Sequence, residues 1–98
     1  MASAGDFARG IYSNTLAADR TPISVGHRIH GFVLSNTSAT ECAVTVTNAA
    51  GDVTYGVFEA PAKGNLVVNI PFNAPAGIKF AGAGTPSTTT ITVFYSGV

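Results

Sequence analysis

Between Cys42 and Phe72 an apolar side chain falls on every second residue, and the run is cut twice by residues that turn the chain. A two-residue period gives a strand one face to bury. Cys42, Val44 and Val46 form the first such set. Asn48-Ala49-Ala50-Gly51-Asp52 then reads as a tight loop: Gly51 accepts a positive φ, and the Asn48 and Asp52 side chains can bond nearby backbone. Val53, Tyr55 and Val57 form the second inward set, until Pro61 removes a ladder donor and Gly64 permits another reversal. Leu66, Val68 and Ile70 form the third. The expectation for this stretch is an antiparallel meander of three strands.

At 98 residues the chain has the length of one domain. Only 10% of its residues are charged, against about 25% in an average soluble domain, while 46% are hydrophobic. Its surface is therefore covered by Thr, Ser, Asn and Gly, with no net charge to keep copies apart. Nucleic acid is a poor partner, because Arg9, Arg20, Arg28, Lys63 and Lys79 are dispersed where phosphate binding needs a cluster. No apolar run is long enough to span a bilayer, and Met1 to Asp6 lacks the basic end and apolar run of a secretory leader. Manufacture in a cytosol is expected. The single Cys42 lies in an inward set and reads as a small buried apolar side chain.

Residues 1–26 are the least regular part. Ile11 to Leu16 and Thr21 to Gly26 have strand composition, with Pro22 confining the second to an edge. Phe7, Ile11, Tyr12, Leu16, Ile23 and Val25 are too many apolar side chains for a tail left in water. The segment is read as an extended arm that lies on the domain or reaches a neighbouring subunit.

From Arg28 to Asn36 both faces of a strand look apolar, with Ile29, Gly31 and Val33 on one and His30, Phe32 and Leu34 on the other. One face can meet the core and the other then needs separate cover. Phe58, Val67 and Phe94 likewise fall opposite their strands' inward sets. With Phe32 and Leu34 they predict an apolar patch that a homo-oligomer buries. The expected interface residues are thus Phe7, Ile11, Tyr12, Leu16 and Ile23 of the arm, and His30, Phe32, Leu34, Phe58, Val67 and Phe94 of the domain.

Ile78 to Phe80 reads as a brief strand, Gly82 to Ser87 as a loop at a tip, and Thr88 to Ser96 as the last strand, with Ile91 and Val93 inward. Strands roughly every 8–12 residues, joined by Gly, Pro and Asn turns, predict an all-β chain. The expected form is a single antiparallel β-sandwich, jelly-roll-like, or a small barrel, spanning residues 27–98 behind the arm at 1–26.

Chemistry-bearing patterns are sparse. His27 and His30 are an odd number apart, so on a strand their rings point to opposite faces and do not share a metal. His30 is instead read as an interface residue beside Phe32. Asp6, Asp19, Glu41, Asp52 and Glu59 sit in turns and strand ends. Gly82-Ala83-Gly84 lacks the Lys and helix of a phosphate loop. These features predict no enzyme, no cofactor and no metal. Sugar binding is the alternative binding class, although the chain has no Trp and only Tyr12, Tyr55 and Tyr95 to offer.

The succession RIHGFVLSNTSATECAVTVTN, a Gly hairpin, VFEAPAKGNLVVNIPF, GIKFAGAG and a terminal TTTITVFYSG resembles small β-sandwich virion proteins of tailed bacteriophages, of the capsid decoration or cement type. The resemblance covers about Arg28 to Gly97. It implies a homo-oligomer, a trimer by preference, that is made in the host cytoplasm, sits on the capsid surface and clamps neighbouring major capsid subunits. Related sandwiches also occur in tail and fibre proteins.

Overall fold

The computed structural model describes residues 10–23, 27–84 and 86–97. Along them run β1 (Gly10–Thr15), β2 (Arg20–Ile23), β3 (His27–Asn36), β4 (Cys42–Thr47), β5 (Thr54–Ala60), β6 (Gly64–Val68), β7 (Phe72–Ala74), β8 (Ile78–Ala83) and β9 (Thr89–Gly97). A 3-10 turn at Pro86–Thr88 leads into β9. The strands form two antiparallel sheets, as the two-residue alternation predicts. The first has the order β1-β9-β3-β6, with β7 also on β3, and the second has the order β2-β8-β4-β5.

The sheets bury their facing sides against each other. Ile29, Phe32, Leu34, Ile91 and Val93 come from the first, and Cys42, Val44, Val46, Ile78 and Phe80 from the second. Phe32 ties the layers together: its ring meets Phe80 and Phe58 of the opposite sheet edge-on, each with centroids 5.2 Å apart. Such ring pairs add about 0.5–1.5 kcal/mol beyond the area they bury.

The expected meander is only half present. β4 and β5 make the first hairpin, and its loop is built on Asn48, whose Oδ1 accepts from the Gly51, Asp52 and Val53 amides at 2.9, 3.0 and 3.2 Å. The chain then leaves the second sheet. Lys63, at φ 49, donates its amide to Ser38 O at 2.8 Å, and β6 pairs with β3 of the first sheet. Leu66 and Val68 thereby face Leu34 and Phe32. Ile70, expected inward, lies beyond the end of β6 and is exposed.

Two bulges overturn the expected choice of faces. In β3 the register against β9 shifts between Ile29 and Gly31, so His30 is an extra residue. An extra residue inverts the alternation downstream. Ile29 before it and Phe32 and Leu34 after it all point inward and are buried. The strand therefore has one apolar face, and Phe32 and Leu34 belong to the core instead of an interface. Gly31 makes the corner at φ +154, and a Cβ there would lie 2.6 Å from Val68 O.

In β5, Val46 pairs with Gly56 but Thr47 pairs with Thr54, leaving Tyr55 as the extra residue. Phe58 and Ala60 consequently turn inward, while Val53 and Val57, expected inside, are exposed. Phe58 is half-buried against the core.

The stretch read as an arm is, over residues 10–23, part of both sheets. β1 pairs with β9 and β2 with β8, so a boundary at residue 26 separates strands that share sheets. Leu16 and Ile23 are buried core residues and Tyr12 packs on the core. Their apolar character is explained inside the chain. Phe7, in 1–9, and Val25, in 24–26, lie outside the described residues.

Candidate functional site

The cross-strand registers define what the first sheet presents on its outer side. One row across β1, β9 and β3 reads Ile11, Phe94, Gly31, and the next, continued onto β6, reads Ser13, Thr92, Val33, Val67. A third reads Thr15, Thr90, Ser35, Asn65. Ile11 and Val67 are each 66% exposed, and Val33 and Phe94 are half-buried. A shallow cavity of about 210 Å³ lies beside Phe94, lined also by His30, Gly31, Val33, Val67 and Asn69.

The surroundings of this patch are polar and nearly uncharged. Ser13 and Thr92 hydroxyls lie 3.2 Å apart. His30, set out of the ladder by the bulge, places Nε2 2.8 Å from Ser96 Oγ. At the margin Arg28 Nη1 donates to Asn73 Oδ1 at 3.0 Å, so this cation is already engaged. Covering a face of this kind costs less than covering a charged one, because hydroxyls and amides need hydrogen bonds from the covering surface but not counter-charges.

A second hollow opens between β5 and the β6–β7 edge. Its volume is about 440 Å³, and it is lined by Phe32, Val46, Phe58, Val68, Ile70 and Phe72 together with Thr54 and Tyr55. Tyr55 stacks edge-on to Phe72 at 5.5 Å and donates its hydroxyl to Gly77 O at 3.1 Å. This cleft offers apolar contact with few polar handles.

Of the expected interface residues, the structure brings Ile11, His30, Val67 and Phe94 together on one face. Tyr12, Leu16, Ile23, Phe32, Leu34 and Phe58 it places on the core side. Val33 joins the patch although the sequence set it beside Ile29. The signal was available, since a glycine inside a strand marks a bulge, and a bulge at 30–31 puts Val33 opposite the core.

Among the described residues no group of three or more His, Cys, Asp or Glu is placed to hold a metal ion. His27 meets Tyr95 edge-on at 5.6 Å while His30 faces Ser96, so the two rings serve different partners. Cys42 is fully buried, with Sγ 3.9 Å from the Ala43 carbonyl. Asp19 lies 3.8 Å from Lys79 in an exposed pair that contributes little. Among the described residues no helix is long and apolar enough to cross a membrane.

The described residues thus define an all-β protein of two antiparallel sheets, the first with a nearly uncharged, partly apolar outer face. No protein-family model matches the chain, and no curated protein is significantly similar to it.

Proposed function

We propose that this chain is a non-enzymatic structural module that works by burying the outer face of its first sheet against other subunits, and that its setting is the virion surface. The observation that carries the reading is the patch of Ile11, Val33, Val67 and Phe94, rimmed by Ser, Thr and Asn. Covering a fully exposed Val or Ile side chain gains about 1.5–3 kcal/mol, so a few such contacts supply the driving force for weak association. Many copies on a lattice multiply weak contacts into stable attachment. The virion setting and the partner, a major capsid protein, follow from the resemblance of residues 28–97 to capsid decoration proteins.

The strand order supports a jelly-roll reading. Counting β6 and β7 as one strand interrupted at residues 69–71, eight strands divide four and four between the sheets, crossing from one to the other at every connection but the β4–β5 hairpin, in the order of two Greek keys, an architecture common among viral capsid proteins and lectins. A lectin function is less well served. The aromatic rings at the cleft pack on each other, and the Tyr55 hydroxyl is committed to Gly77.

Co-sedimentation tests the proposal. The wild-type chain should pellet with capsids of its parent particle, and Val67→Asp should remain in the supernatant. A wild-type chain that stays in the supernatant, or a variant that binds equally well, overturns it.

A further inference from the structure

Sheet edges expose backbone groups ready to pair, and most proteins blunt them. In this chain β2 carries Pro22 and a register irregularity against β8. β5 carries a bulge and the exposed Glu59. β6 is five residues long and leaves the ladder at Asn69. β1 has none of these: Gly10-Ile11-Tyr12-Ser13-Asn14-Thr15 contains no charge and no Pro, and pairs with β9 without a shift.

Hydrogen bonds around β1 identify which of its groups are open. Leu16 donates its amide to Thr89 O at 2.8 Å. Because bonded and non-bonded pairs alternate in an antiparallel ladder, Asn14 and Tyr12 also bond β9, while Ile11, Ser13 and Thr15 turn their amides and carbonyls off the sheet. Thr15 agrees with this and is already closed: its amide donates to Asn14 Oδ1 at 2.8 Å, and its carbonyl accepts from Arg20 Nε at 2.7 Å. The open residues of the edge are therefore Ile11 and Ser13.

We propose that this edge pairs with β1 of a second copy of the chain, antiparallel, about a two-fold axis at Tyr12. Among described residues only that register sets each open residue against another: Ile11 opposite Ser13 of the second copy, and the reverse. Each such pair exchanges two bonds, so the two pairs use every open group on both edges. Placing Ile11 opposite its own copy, or opposite Thr15, wastes one of them.

Two features select a second copy over an unrelated strand. With the axis at Tyr12, Ile11 and Ser13 lie diagonally across from their own equivalents, so a charge at either position would meet a like charge, and β1 has none. The seam also keeps both outer faces on the same side. Ile11, 66% exposed, then flanks the axis and joins the two apolar patches into one strip. A six-residue seam is smaller than a standard interface of about 1,600 Å², so the pair is weak and concentration-dependent. It closes after two copies, unlike the three-fold arrangement implied by the resemblance, and it does not rest on the virion setting.

Amide hydrogen exchange of the full chain across a concentration series tests it. The Ile11 and Ser13 amides should gain at least tenfold protection as concentration rises, while Tyr12 and Asn14 stay protected throughout. Ser13→Pro deletes an edge-facing donor, which a strand edge tolerates, together with the exposed hydroxyl beside Thr92. It should fold and lose the concentration-dependent protection at Ile11. Ile11→Glu, at an exposed side chain, sets two carboxylates across the axis and should abolish the protection at Ser13 even if Ser13→Pro fails to fold. Exchange at Ile11 and Ser13 that ignores concentration, or protection that survives Ile11→Glu, overturns the seam. Association that persists in Ser13→Pro but disappears in Val67→Asp also overturns it and leaves the face-mediated reading standing.

Discussion

Replacing Gly31 with Ala should strongly destabilise this fold. The added Cβ would lie 2.6 Å from Val68 O, far inside van der Waals contact. That carbonyl cannot retreat freely, because Val68 is held in register opposite Phe32, a central core residue. The backbone at φ +154 is also a region that residues with a Cβ rarely adopt. Overpacking costs about 1–3 kcal/mol and the unfavourable backbone region about 1–3 kcal/mol, so the expected loss is about 2–6 kcal/mol. Against a total stability of about 5–15 kcal/mol this is a large fraction. For a domain of this size it lowers the thermal midpoint by roughly 10–50 °C. Circular dichroism melts and urea titrations of wild type and variant give both numbers, with an unchanged urea slope showing that the loss is one of stability. A midpoint within about 2 °C of wild type would refute the reasoning, because β3 would then turn its corner without a glycine.

Other side chains give sharper local tests. Asn48→Ala leaves the Gly51, Asp52 and Val53 amides without their shared acceptor and should cost about 2–3 kcal/mol in urea unfolding. Asn36→Ala should cost a similar amount, about 2–3 kcal/mol, since the buried Asn36 amide donates to Thr40 O and accepts from the Ser38 amide and the Thr88 hydroxyl. Val67→Asp, at an exposed position, should leave the melting curve within about 0.5 kcal/mol of wild type. In sedimentation equilibrium it should weaken self-association at least tenfold, about 1.4 kcal/mol. The Cys42 thiol, fully buried, should react with a thiol reagent only as fast as the chain opens, and at once in denaturant.

What was legible in the sequence follows from how local each signal is. The alternation of Cys42, Val44 and Val46, or of Ile91 and Val93, is read without knowing any partner, and those residues are core. The Asn48 loop was legible for the same reason, its donors and acceptor being five residues apart at most. Faces failed where one extra residue inverts the count. His30 in β3 and Tyr55 in β5 are bulged, so Phe32, Leu34 and Phe58 moved from the expected interface to the core side, and Val57 moved out. Sheet membership failed where it depends on distant pairing: nothing near Gly64 tells β6 to join β3 instead of β5. The same holds for β1 and β2, whose partners β9 and β8 lie at the far end of the chain. Val67 and Phe94 remained outward because their strands keep an unbroken alternation on either side of them.

The most direct test of the working face is the accessibility of individual methyl groups to a soluble paramagnetic probe, followed as protein concentration rises. Val33 and Val67 lie on the outer face of the first sheet, while Val57, 63% exposed, lies on that of the second and serves as the internal control. Burial of the first sheet's face predicts that probe contact falls at Val33 and Val67 and holds steady at Val57. Equal contact at all three, unchanged from the most dilute to the most concentrated sample, would contradict it.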